Sequence, residues 1–87
     1  MTLKIDRFQA MIRLSGKLRS EHLAQIHAEI QLCEPPAVLD LEELELVDVE
    51  AVRFLNTCET KGILLLHCSP YIRKWMAQER SRHGPQT

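Results

Sequence analysis

Apolar and polar positions alternate at the start of the chain. Leu3 and Ile5 come first, and then Ala10, Ile12 and Leu14 are set against Met11, Arg13 and Ser15. A period of two marks a half-buried strand, and Asp6-Arg7 between the two runs suits a tight turn. The expectation is an N-terminal hairpin that ends at Gly16. The period then changes. Leu23, Ile26, Ile30 and Cys33 fall at offsets of three, seven and ten, which is one stripe of a helix that Ser20 is placed to cap. Glu34 precedes Pro35, which pushes its backbone out of the helical region, so this helix should stop by Cys33.

A short apolar strand, Ala37 to Leu41, follows. Asp48 can cap a second helix that runs to about Thr60, with Val52 and Leu55 on its buried side and Ala51, Phe54 and Cys58 beside them. Lys61 suits the negative end of that helix, and Gly62 is placed to end it in the left-handed region. Ile63 to Leu66 reads as a central strand with apolar side chains on both faces. Ser69-Pro70 opens a last helix, serine as cap and proline at the first helical position, with Ile72, Trp75 and Met76 as its inner stripe. From Arg80 onward the chain reads as a frayed basic tail. The order β-β-α-β-α-β-α predicts a small α/β domain. Its sheet is expected to be mixed, mostly parallel and four-stranded, with three helices joined by right-handed crossovers. Residues 1–80 form the expected domain and residues 81–87 a flexible tail.

Composition sharpens this picture. The chain has 87 residues, enough for one core, and 45% of them are hydrophobic, which argues against disorder. Eleven basic residues against twelve acidic ones leave a formal charge of −1, without the basic excess of a nucleic-acid binder. The acids cluster at Asp40, Glu42, Glu43, Glu45, Asp48 and Glu50, while Arg73, Lys74, Arg80, Arg82 and His83 lie near the end. A basic partner docking near residue 48 would use that asymmetry. Lys4, Asp6 and Arg7 interrupt any secretory leader, and the longest apolar run, Ile63 to Leu66, is far too short to span a bilayer. A cytoplasmic protein without membrane insertion is expected. Cys33, Cys58 and Cys68 form no CxxC pair and read as small buried hydrophobes in a reducing compartment.

Catalytic and metal constellations are missing from the sequence. His22 and His27 are five apart on a helix and do not share a face, and His67-Cys68 lacks further ligands at a recognisable spacing. No GxGxxG, Walker loop or nucleophile elbow occurs, so neither a cofactor nor enzymatic activity is expected.

Four segments together resemble a known family. Leu14-Ser15-Gly16-Lys17-Leu18 is similar to the L-x-G-x-L segment after the second strand of STAS domains, the family of anti-sigma factor antagonists. Val38-Leu39-Asp40-Leu41 resembles that family's vvlDl strand. Leu46 to Leu55 resembles its f-x-D-S-S-G-l-x-x-L signature, and Gly62 to Leu66 with Ser69-Pro70 resembles its ending. The resemblance implies a STAS-like fold and a non-enzymatic, protein-binding regulator of transcription. Its partner would be an anti-sigma factor or a kinase-like protein. The start of the second helix (Asp48, Val49, Glu50, Arg53) and the adjacent Ser15-Gly16-Lys17 loop would carry the binding. A structural subunit of a sensor assembly or of a membrane transporter complex is the alternative.

Two departures matter. Val49 and Glu50 stand where the family has two serines, and Ala51 replaces its glycine. Glu50 occupies the phosphorylated position and cannot be phosphorylated; it is either a partial mimic of phosphoserine or an acid complementing the helix start. The resemblance also implies a further strand and helix after the segment Tyr71 to Glu79. Without them, Met11 and some of Ile63, Leu64, Leu65 and Leu66 would face an open surface, which a homodimer or a partner would cover.

Overall fold

The computed structural model describes residues 3–8, 11–32 and 37–83. Strand β1 (Leu3–Phe8) and strand β2 (Met11–Leu18) form the antiparallel hairpin. β1 runs straight through Asp6-Arg7, so the turn expected there is not formed by that pair; residues 9–10 lie outside the described residues. β2 does not end at Gly16. Gly16 adopts a left-handed φ of 96° at an irregularity in the pairing, and the strand continues to Leu18. Ser15, Gly16 and Lys17 are therefore strand residues and form no loop.

A single 3₁₀ turn (Ser20–His22) leads into α1 (Leu23–Leu32), in which Ile26 is buried and Leu23 and Ile30 pack against the core. The cap position is Arg19, one residue earlier than expected. Cys33 lies outside the described residues. Strand β3 (Val38–Asp40) is followed by a strand the sequence reading left out, β4 (Leu44–Val47). β3 pairs in parallel with the first half of β2 and β4 with its second half, so the two act as one interrupted strand. The sheet accordingly has five strands where four are expected. Helix α2 (Val49–Thr60), strand β5 (Leu64–Leu66) and helix α3 (Pro70–His83) complete the chain. The sheet order is β1-β2-β3-β5, which corrects the expected central strand: β5 pairs with β3 at one end of that order, and Leu64 is 56% exposed. α3 is helical past Arg80 as far as His83, because Arg80 donates to Asn56 and Glu59 on α2.

Sheet register decides which side chains meet the helices. Opposed residues share a face, so Leu3, Ile5, Ile12, Leu14, Leu39 and Leu65 point to one side. There they join Ile26 of α1, Ala51, Val52, Leu55 and Cys58 of α2, and Ile72 and Met76 of α3 in one core. All three helices thus cover the same face. Tyr71, 54% exposed, sits 6.0 Å from half-buried Trp75 in a tilted ring pair. No helix among the described residues is long and apolar enough to cross a membrane.

The end of α2 follows the sequence expectation closely. Gly62 N–H donates to the Glu59 carbonyl and Ile63 N–H to the Cys58 carbonyl, with Gly62 at φ 91°. That pair of bonds satisfies carbonyls the last helical turn leaves free, and it requires a left-handed residue. A Cβ on Gly62 would meet no atom within 4 Å. Gly62→Ala should therefore cost about 1 kcal/mol from backbone strain alone. Urea unfolding should show that loss with an unchanged slope; a loss above about 3 kcal/mol would mean a steric clash.

Candidate functional site

The corner where β4 turns into α2 carries most of the residues singled out from the sequence. Asp48 N–H donates to the Leu18 carbonyl at 3.3 Å, and Gly16 N–H donates to the Glu43 carbonyl at 3.2 Å. The β4 end is thereby held along β2. Asp48 has an extended backbone, and its two carboxylate oxygens have separate tasks. Oδ1 accepts from Ala51 N–H at 2.9 Å and caps α2, while Oδ2 accepts from Ser20 N–H at 2.9 Å. Ser20 is thus held by this cap from another element and caps nothing itself.

Glu50 is exposed in the first turn of α2, and its carboxylate accepts from Arg53 at 3.3 Å. Arg53 also donates to Glu79 of α3 at 3.2 Å, and Glu79 is only 5% exposed. The guanidinium is a bridge between α2 and α3 as well as the counter-charge of Glu50. Val49 is half-buried beside them. On the strand side, Lys17 is paired with Leu46, which is 47% exposed and flanked by exposed Glu45. Asp48, Val49, Glu50 and Arg53 come together at the helix start. Gly16 and Lys17 adjoin them through β4, whereas Ser15 lies opposite Lys4 on the helix-free face of the sheet. Leu46 and Glu79 were missed from the sequence. The one available signal for Leu46 was its place in the f-x-D signature; nothing local marks Glu79.

A second polar cluster gathers at the ends of β3 and β5. Asp40, 3% exposed, accepts from Glu42 N–H at 3.1 Å, meets His67 Nδ1 at 3.1 Å and lies 3.5 Å from Arg13 Nε. Burial alone would raise the Asp40 pKa. The hydrogen bonds from His67 and Glu42 N–H and the nearby positive charges outweigh it and leave the group below its ordinary 3.8. His67 holds its ring there from a left-handed backbone at φ 55°. Ligand atoms of Asp40, Glu42 and His67 lie within 4.8 Å of one another, a donor set suited to a divalent ion. Arg13 already supplies positive charge to the same carboxylate, which opposes a metal. Sequence spacing hid this group because it depends on Asp40 standing opposite Leu66, the neighbour of His67.

A broad depression of about 510 Å³, open to solvent, is lined by Glu59, Thr60, Gly62, Ile63, Leu64 and Arg80. Its polar groups are engaged: Glu59 accepts from Arg73 and Arg80, and Thr60 donates to the Asn56 carbonyl. Hydrogen bonding from Arg73 outweighs burial and keeps the Glu59 pKa below its ordinary value. Of the thiols, burial pushes Cys58 up to about 11. The thiolate is the reactive form, so iodoacetamide at pH 8 should leave Cys58 unlabelled in the folded chain and label it in urea. Peptide mass spectrometry reads the result, and rapid native labelling of Cys58 would contradict its burial.

One sheet with three helices on a single face and a capped corner before α2 agrees with the class of fold that the sequence resemblance implies. The chain is similar to a solved structure, that of the anti-sigma factor antagonist SpoIIAA in its unphosphorylated form. The TM-score is 0.59 at 18% identity, covering 93% of this chain and 98% of that one. No protein-family model matches, and no curated protein matches.

Proposed function

We propose that the chain is a non-enzymatic, protein-binding regulatory module of the anti-sigma factor antagonist kind, without the serine switch. The observation that carries this reading is the likeness in fold to SpoIIAA across nearly the whole of both chains. The binding surface is the α2 corner, with Val49, Glu50 and Arg53 at its centre, Asp48 as its internal brace, and Gly16, Lys17 and Leu46 at its rim. Ser15 faces the other side of the sheet and takes no part in it. Glu50 supplies a fixed negative charge where a hydroxyl would be modified, and Arg53 partly neutralises it. The partner is a kinase-like anti-sigma factor, and the setting is the cytoplasm.

A second reading, a structural subunit of a larger assembly, is favoured by one feature. Both oxygens of Asp48 are committed to internal hydrogen bonds, as befits a fixed part. Affinity capture on the whole chain, with Glu50→Lys as the paired bait, separates the two. Glu50 is exposed and pairs with Arg53 across the helix surface, so the variant should fold. Retention of a kinase-fold anti-sigma factor by the parent chain, reduced at least about tenfold by Glu50→Lys, supports the first reading. Recovery of an ATPase or a large homomeric complex, indifferent to Glu50→Lys, supports the second.

A further inference from the structure

Asp40, Glu42 and His67 bring two carboxylates and an imidazole together from connections far apart in sequence. Asp40 is the last residue of β3, and His67 follows Leu66, the last residue of the parallel neighbour β5. Ligands of open α/β sheets settle outside the carboxyl ends of the strands, which is where this group stands. Among the described residues no other three histidine, cysteine or acidic side chains bring their donor atoms within 4.8 Å of one another.

The spacing suits a metal ion. Tetrahedral zinc with bonds of about 2.0–2.1 Å needs its donor atoms about 3.3–3.4 Å apart. His67 Nδ1 lies 3.1 Å from Asp40 Oδ1 and 3.9 Å from Glu42 Oε1. The Asp40 side chain is buried at 4% exposure, whereas those of His67 and Glu42 are 58% and 60% exposed. The small adjustment therefore falls on the two that face solvent.

We infer that this group binds a divalent transition-metal ion through Asp40 Oδ1, Glu42 and His67 Nδ1, with water in the remaining position. A mixed nitrogen and oxygen set favours zinc or cobalt(II) over calcium or magnesium. The ion replaces the proton between His67 Nδ1 and Asp40 Oδ1, and the neutral ring carries its proton on Nε2 instead. Arg13 weakens the site without filling it. Its Nε lies 3.5 Å from Oδ2, the other oxygen of Asp40, and forms no hydrogen bond. One guanidinium against two carboxylates leaves the group negative, though less so than the acids alone. Binding ties the turn after β3, through which the chain reaches β4 and the α2 corner, to the connection into α3. It thereby stabilises the folded chain.

Calorimetric titration of the whole chain with zinc chloride tests this. It should give one site with a dissociation constant on the order of 10 µM. His67→Asn keeps a residue that tolerates a left-handed backbone, and Glu42→Gln alters an exposed side chain, so both should retain the parent's circular dichroism. Each should weaken binding at least about tenfold. Arg13→Gln should tighten it about threefold by removing the opposing charge. Cys68, the neighbour of His67, is the rival zinc ligand. Cys68→Ser should bind as the parent does, and cobalt(II) on the parent should show no thiolate charge-transfer band. The proposal is overturned by no saturable binding at about 1 mM zinc, by binding that survives both His67→Asn and Glu42→Gln, or by binding lost in Cys68→Ser.

Discussion

Asp48→Ala is expected to lower stability by about 2 kcal/mol and the thermal midpoint by about 10 °C, a large fraction of what a domain this small possesses. One carboxylate satisfies two backbone donors from different elements, Ala51 N–H in α2 and Ser20 N–H in the 3₁₀ turn, each at 2.9 Å. Loss of an N-cap costs about 0.5–2 kcal/mol, and the upper end applies here because the same carboxylate also ties down the exposed Ser20 N–H, which water only partly replaces. Asp48→Asn retains one acceptor oxygen and should lose roughly half as much. Urea titration followed by Trp75 fluorescence reads all three proteins. An Asp48→Ala variant within about 0.5 kcal/mol of the parent would remove the corner's structural role.

The second large effect belongs to Asp40. Removing one partner of a fully buried ion pair typically costs 3–5 kcal/mol. Here the Arg13 and His67 side chains are 38% and 58% exposed and can turn to water, which reduces that figure. The Glu42 N–H would still lose its acceptor. Asp40→Ala should therefore lose about 2–3 kcal/mol at pH 7. The pH dependence has a definite sign. Because the folded-state pKa lies below the ordinary 3.8, the folded chain holds fewer protons than the unfolded chain near that pH. The contribution is complete above the ordinary value and disappears as pH falls through the folded one. The stability gap between the parent chain and Asp40→Asn should thus narrow as pH falls below about 4. Glu59, also lowered, adds to the acid sensitivity of both proteins and cancels in the difference. A gap that stays constant down to pH 2 would contradict the assignment.

Local signals carried the helical half of the fold well. Asp48 as cap, Gly62 as left-handed terminator, and Ser69-Pro70 at the start of α3 all stand where the sequence puts them. Ser69 Oγ accepts from Ile72 N–H at 3.3 Å. Each depends on backbone groups within a few residues, so side-chain type alone decides them. The strands were read less well. Glu43 to Val47 has no clean alternation, because Glu45 is the extra residue where Lys17 pairs with Leu46 and Gly16 with Leu44. That irregularity hid β4 and made two half-strands look like one strand and a loop. Ser20 misled in another way: its hydroxyl fits a cap, yet the deciding group is the carboxylate of Asp48, 28 residues away.

By itself the amino-acid sequence determined the class of fold, the number of long helices, both ends of α2 and the start of α3, and the presence of a capped acidic corner before α2. These follow from periodicity and from hydrogen bonds between near neighbours, which are set before the chain collapses. Tertiary structure alone decided that Asp48 braces two elements, that Arg53 joins Glu50 to buried Glu79, and that Asp40, His67 and Arg13 share one cluster. It also decided that Phe8 and Leu64 stand exposed at opposite ends of one row on the helix-free face. Each of these depends on strand register and on the side of the sheet the helices occupy, and a one-residue slip in pairing would turn every strand side chain to the other face.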